Sequence, residues 1–190
     1  MYKRQIQIGD NVCIIGCGYM GLLLIQAMPK TIMNSLVALD VRNERLSLAK
    51  KFGADFTLNP KETDAVSEVC EIFGGEADVV IEASGAPETL YLATDLTRRG
   101  GKLVIFGRHV VDERVPTEKW HEKGLRILNT APSFSANFNK DFHDAVKLLK
   151  KGVFDQRPLI THRFSYREAE TAFKIASESP VDYIKGVMIF

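Results

Sequence analysis

The chain has 190 residues, enough for one well-buried domain with a small appendage. At 45% hydrophobic and 26% charged residues, its composition is that of a folded globular chain and excludes an intrinsically disordered one. Its net charge is +1, from 25 basic and 24 acidic residues with no block of one sign, so neither nucleic acid nor an anionic membrane is an expected partner.

Cys13, Cys17 and Cys70 are odd in number and form no CxxC pair, so neither a disulfide framework nor a zinc knuckle is expected. The opening "MYKRQIQIGDN" has basic residues but no apolar stretch behind them, so no secretory signal is expected. The apolar run 12–25 is broken by three glycines and is too short to span a bilayer. The expected compartment is the cytoplasm.

In chain order, "NVCII" reads as a short buried strand, followed by a glycine turn and an apolar helix over about 20–28. "SLVALD" is a second strand ending in an acid. Asn43 is placed to cap the next helix, which Gly53 closes. "DFTLNP" holds a third, weaker strand at 56–58. "NPKE" then reads as a helix start, with Asn59 as cap, Pro60 in the first turn and Glu62 reaching back. That helix runs to about Phe73. "ADVVIEASG" is a fourth strand, 87–96 a helix, "GGKLVIFG" a fifth strand and "LRILNTA" a sixth. Strands alternating with helices predict an α/β fold: a Rossmann-type doubly wound parallel sheet of about six strands.

After Ala131 the alternation stops. A helix over about 140–150, an extended "PLITHRF", a capping box "SYRE" opening a helix to about Glu178, and a terminal strand "IKGVMIF" follow. The boundary is placed after Gly152. It separates a nucleotide-binding domain at 1–152 from a C-terminal segment at 153–190.

Gly16, Gly18 and Gly21 form G-x-G-x-x-G directly after a strand and at the mouth of a helix. Gly16 permits the tight turn, Gly18 lets backbone approach a pyrophosphate, and Gly21 lets the helix lie close on the sheet. Tyr19 and Met20, between the last two glycines, would offer amides to the phosphates at the positive end of the helix. Asp40 ends the second strand about 20 residues further on, placed to accept bonds from the adenosine ribose hydroxyls. Its charge favours NAD over NADP, although Arg42 offers a partner for a 2′-phosphate. The segments Ala83, Ser84 and Gly85, then Gly107 and Arg108, and residues 129–131 follow strand ends where the crevice of such a sheet opens.

Together "GDNVCIIGCGYMGLLLIQ", "VALDVRNERLSLAKKFGAD", "DVVIEASGAPETL", "RGGKLVIFGRH" and "PLITHRFSYREAETAFKIASES…IKGVMIF" resemble the medium-chain dehydrogenase/reductase family, and within it the zinc-dependent alcohol and polyol dehydrogenases. The resemblance covers nearly all of this chain but only the C-terminal half of the family's usual length. It implies that Gly16, Gly18 and Gly21 form the pyrophosphate turn and that Asp40 and Arg45 sit at the adenosine. It also implies that Ala83 and Ser84 touch adenine and its ribose, that Gly107 and Arg108 hold the nicotinamide amide, and that Lys185 reaches the pyrophosphate. The edge strand 125–129, beginning at Leu125 and ending at Asn129, matches one through which family members pair into dimers, so a homo-oligomer is expected.

The family's zinc ligands and proton relay precede the glycine turn in a GroES-like catalytic domain, which is absent here apart from its return segment at 153–190. Zinc is therefore expected only in that missing domain, with no catalytic or metal-ligating residue in this chain. His109, His121, His143 and His162 are scattered and are expected to be surface or packing residues. Cys13 and Cys17 have no nearby histidine to activate them. The expected role is the coenzyme domain of an NAD-dependent dehydrogenase acting on a secondary alcohol or polyol, inactive alone. The alternatives are a stand-alone NAD-sensing module and, less well matched by its glycine spacing, an S-adenosylmethionine-dependent methyltransferase.

Overall fold

Six short apolar runs assemble into one sheet in the computed structural model, which describes residues 6–131, 133 and 135–190. The strands are β1 (Asn11–Ile15), β2 (Ser35–Leu39), β3 (Phe56–Leu58), β4 (Ala77–Glu82), β5 (Thr97–Ile105) and β6 (Arg126–Asn129). They lie in the order β3-β2-β1-β4-β5-β6 with every pairing parallel, as the alternation of strands and helices predicts. Lys3 and Arg4, weighed above as part of a possible leader, lie outside the described residues.

Side chains along each strand alternate between two faces. Val12, Ile14, Leu36, Ala38, Val79, Ile81 and Val104 build one core, and Cys13, Ile15, Val37, Leu39, Val80 and Leu103 the other. A parallel sheet has to be covered on both sides. Helices α1 (Tyr19–Ala27) and α2 (Asn43–Lys51) cover the first face with Leu22, Ile25, Leu46 and Ala49. Helices α3 (Ala65–Phe73) and α4 (Thr89–Leu96) cover the second with Val69, Ala93 and Leu96. Leu22 and Ile25 are fully buried and each contributes about 1.5–3 kcal/mol through removal from water.

Three local expectations are corrected. Helix α2 starts at Asn43 with Arg42 as its cap residue; the Asn43 side chain instead accepts from Asn59 Nδ2 at 3.0 Å and donates to Glu62 at 2.8 Å. The helix expected from Asn59 starts only at Ala65. Asn59 closes a local turn by accepting the Lys61 amide at 3.1 Å, and Asp64 is the cap, accepting from Val66 and Ser67. Glu62 reaches the Asn59 side chain and not a backbone amide. A further helix not anticipated, α5 (Thr117–Lys123), precedes β6. Its Trp120 packs on the second core and donates to Thr94 Oγ1 at 2.7 Å, while Lys123 Nζ caps the carbonyls of Thr94, Asp95 and Thr97.

Beyond β6 lie α6 (Phe138–Lys150), β7 (Ile160–Ser165), α7 (Ala169–Glu178) and β8 (Lys185–Ile189). Strands β7 and β8 pair with each other in a separate two-stranded sheet. The capping box forms as read, Ser165 accepting from the Arg167 amide and Glu168 from the Ser165 amide. Gln26 of α1 ties this segment to the larger sheet through both the amide and the carbonyl of Asp155. The end of β8 stays open to water, with Ile189 54% and Phe190 97% exposed.

Candidate functional site: the crevice at the strand ends

The strand order reverses between β1 and β4, and the crevice there opens at the C-terminal ends of the strands. Gly16 turns out of β1 at φ +95°, a conformation that side chains rarely adopt, and its amide donates to Leu39 O at 2.7 Å. A Cβ on Gly21 would run into the Gly16 carbonyl oxygen, so α1 lies on the turn only with glycine there. Gly18 differs from both. Among the described residues a Cβ built on it meets nothing within 4 Å, and as cap residue of α1 it has no side-chain cap and no acid in the first turn. The positive end of α1 is thus left uncovered where an anion would bind. Tyr19 and Met20 begin α1 beside it. Lys185, from β8, lies over the Tyr19 ring at 5.1 Å, so the structure brings this distant cation to the turn.

Asp40 is buried behind the same turn. Its Oδ2 accepts the Cys17 amide at 2.7 Å and its Oδ1 the Arg42 amide at 2.8 Å. A carboxylate offers about four acceptor positions, so roughly two remain for hydroxyl donors. Arg45 approaches to 3.9 Å and also donates to Tyr183 O at 3.2 Å. Burial holds its guanidinium below the usual arginine range, and its Nε is buried without a hydrogen-bond partner among the described residues. Burial, then Asp40, pushes the Cys17 thiol well up, so it stays protonated. Arg42 donates to the carbonyls of Ser179 and Pro180, both at 2.9 Å. Both arginines therefore strap the 179–183 loop to the strand that carries the acid.

On the other side of the crevice, Ala83 donates to Ile15 O at 2.8 Å, joining the end of β4 to β1. A Cβ on Gly16 would come within 2.8 Å of Ser84 backbone, and one on Gly85 within 2.6 Å of Arg108 O. Ser84, Gly85, Gly107 and Arg108 are thereby packed backbone to backbone. Gly107 and Arg108 line a cavity of about 490 Å³ with His109, Asn129, Thr130 and Ala131, at the strand ends nominated from sequence. A larger cavity of about 680 Å³ lies between α1 and the faces of β4 and β5, and its wall is apolar.

The residue beneath all of this is one that sequence reasoning missed. Glu82, the last residue of β4, is fully buried. Its Oε1 accepts from the amides of Ser84 and Gly85 at 2.8 and 3.0 Å and from the hydroxyls of Ser84 and Thr89. The only sign of it in the sequence is an acid closing an otherwise apolar strand. His109, read as a scattered surface or packing residue, is a packing residue with two specific partners that the sequence did not show: its Nε2 meets Glu82 Oε2 at 3.0 Å and its Nδ1 meets Glu113. His121 and His143 are exposed, and His162 is half-buried and stacked on Phe164. Among the described residues no cluster has the arrangement of a metal centre.

These parts fit a dinucleotide: an uncovered helix start for phosphates, free lone pairs on a buried acid for a ribose, and a walled cavity for a flat ring. A family profile described as zinc-binding dehydrogenase matches residues 20–151. Sorbitol dehydrogenase 1 of Saccharomyces cerevisiae is 31% identical over 175 residues, covering 88% of this chain and 48% of that protein. The solved L-idonate 5-dehydrogenase of Escherichia coli K-12 superposes with a TM-score of 0.84 at 27% identity, over 96% of this chain and 51% of that one. A short chain alcohol dehydrogenase of Escherichia coli CFT073, solved with NADH, gives a TM-score of 0.82 at 26% identity over 98% of this chain and 54% of that one. The chain spans about half the length of the relatives it matches.

Proposed function

The chain belongs to the zinc-binding dehydrogenase family, and from that premise we propose that it binds NAD as the coenzyme half of an enzyme acting on a secondary alcohol or polyol. When bound, the coenzyme accepts or supplies a hydride at its nicotinamide. The observation that carries the reading is the pairing of an uncovered α1 start at Gly18 with the Asp40 carboxylate, which holds the neighbouring Cys17 amide at 2.7 Å. The amides at Gly18, Tyr19 and Met20 bind the pyrophosphate. Asp40 binds the adenosine ribose with Arg45 beside it, and Lys185 adds charge to the phosphates. Ala83 and Ser84 flank the adenosine, and Gly107 and Arg108 orient the nicotinamide amide.

Residues 153–190 serve in this reading as the return segment of a catalytic domain that would supply zinc and the proton relay, so this chain alone has no turnover. The exposed apolar end of β8 supports that assignment. Among the described residues β6 is the last strand of its sheet, and such an edge offers a seam for two copies. A cytoplasmic location is supported by three free thiols. Calorimetric titration with NAD, NADP and S-adenosylmethionine is the test. NAD is expected to bind most tightly and S-adenosylmethionine not at all; a chain that ignores NAD, or prefers S-adenosylmethionine, overturns the reading.

A further inference from the structure

The loop after β5 leaves the sheet with little apolar contact to hold it: Val110 and Val111 at its tip are 75% and 59% exposed. Its fixings are polar. Glu82 O accepts the amides of Phe106 and Gly107, both at 2.8 Å, and these hold the loop only at its root. Further along, His109 lies between two carboxylates, Glu82 at Nε2 and Glu113 at Nδ1, with all three side chains at most 14% exposed. Glu113 in turn accepts the amide of Glu88 at 3.1 Å through its other oxygen. Glu88 sits at φ +65° at the start of α4, a conformation uncommon for a side chain of this kind. The contacts therefore close a ring from Glu82 to His109 to Glu113 to Glu88 and back through the turn that Glu82 Oε1 holds.

A neutral imidazole carries a proton on one nitrogen and a lone pair on the other, so closing both contacts takes one added proton, on the ring or on a carboxyl. Buried, charge-assisted contacts of this kind are strong and directional. Glu82 divides its labour between two oxygens. Oε1 holds the Ser84–Gly85 turn on the adenosine side, and Oε2 holds His109 on the side of the 490 Å³ cavity.

We propose that His109 is a positioning residue that pins the loop 106–113 between Glu82 and Glu113 and thereby sets the wall against which the nicotinamide rests. The proposal rests on the dinucleotide reading above, and it concerns only the nicotinamide half of the ligand. ADP-ribose carries the adenosine and both phosphates but no nicotinamide, so it separates the two halves.

The test measures NADH and ADP-ribose affinity for the wild-type chain, His109→Ala and Glu113→Ala, with amide hydrogen exchange of residues 108–113 in the free protein. Both variants are expected to bind ADP-ribose within about twofold of wild type, because Glu82 Oε1 keeps its own donors at the Ser84–Gly85 turn when His109 or Glu113 is removed. Both are expected to lose roughly tenfold in NADH affinity and to exchange faster in the loop. The double variant is expected to lose no more than His109→Ala alone, since one ring of contacts is broken once. Losses equal for NADH and ADP-ribose, or unchanged exchange in the loop, overturn the proposal. A wild-type chain that binds neither ligand overturns the dinucleotide reading itself, whereas one that binds both, with an unmoved ratio in His109→Ala, overturns this inference alone.

Discussion

Asp40 and Cys17 are joined across the mouth of the crevice, the carboxylate at the end of β2 accepting the amide in the middle of the glycine turn at 2.7 Å. The acid that the reading assigns to the ribose thus also holds the shape of the phosphate turn. Asp40→Ala leaves the buried Cys17 amide without its partner, a loss of about 1–3 kcal/mol in stability. It should lower NAD affinity by roughly tenfold or more and narrow the preference over NADP, because the charge that repels a 2′-phosphate is gone. Asp40→Asn keeps an acceptor for the amide and should recover most of the stability but not the preference. Thermal melts and calorimetric titration of both variants check this, and an unchanged NADP-to-NAD ratio would refute it.

Asp64 caps α3, and its carboxyl is held below the usual carboxylate range by the Ser67 hydroxyl and then by the amides of Ser67 and Val66. A depressed carboxyl contributes stability that is present above the unfolded-state value and is lost as pH falls through the folded one. Asp64→Ala should therefore lower the melting temperature near neutral pH. The gap between variant and wild type should close as pH falls below the ordinary carboxylate range. Melting curves across that range decide it; a gap independent of pH would mean that the cap contributes no charge-dependent stability.

The sheet was legible because most of its strands are short apolar runs flanked by caps and glycines, a pattern that needs no distant partner to be read, although β3 has only three residues and β5 begins three residues earlier, at Thr97, than its glycine pair suggests. The glycine turn after β1 and the position of Asp40 were legible for the same reason, since spacing along the chain alone places an acid at the tip of the next strand. Helix α5 was not, because "TEKWHEK" carries a single large apolar residue, Trp120, and forms by docking on Thr94 and the second core. The start of α3 was misplaced because Asn59 and Asp64 are both competent caps, and only contacts with Asn43 and Glu62 show that Asn59 serves a turn. Glu82 and His109 lie 27 residues apart, so their contact exists only once β4 and β5 are side by side. The straps from Arg42 and Arg45 to the 179–183 loop are longer still in sequence and equally invisible there.

The three thiols should differ sharply in reactivity. Burial pushes the Cys13 and Cys17 thiols well above the ordinary range, Cys70 adding to the first and Asp40 to the second, while Cys70 itself is only half-buried. The thiolate is the reacting species, so an alkylating reagent at neutral pH should modify Cys70 first in the native chain. Peptide mapping after brief treatment checks the order. Rapid labelling of Cys17 would show that the turn opens far more often than its hydrogen bonds imply.

Two glycines of one motif should fail in opposite ways. A methyl at Gly21 runs into the Gly16 carbonyl, backbone that cannot yield cheaply, so Gly21→Ala should cost about 1–3 kcal/mol or more through overpacking. At Gly18 the backbone lies at φ −72°, which alanine adopts freely, and nothing stands within 4 Å of the new methyl. Gly18→Ala should therefore keep stability within about 0.5 kcal/mol, or gain slightly from a less flexible unfolded chain. Yet that methyl would occupy open space at the start of α1, the place proposed above for the phosphates. NAD affinity should fall roughly tenfold or more in this well-folded variant. Melting temperature and NAD titration, measured side by side on the two variants, separate a glycine kept for packing from one kept for a ligand. If Gly18→Ala binds NAD as wild type does, the open space at Gly18 is not where the phosphates lie.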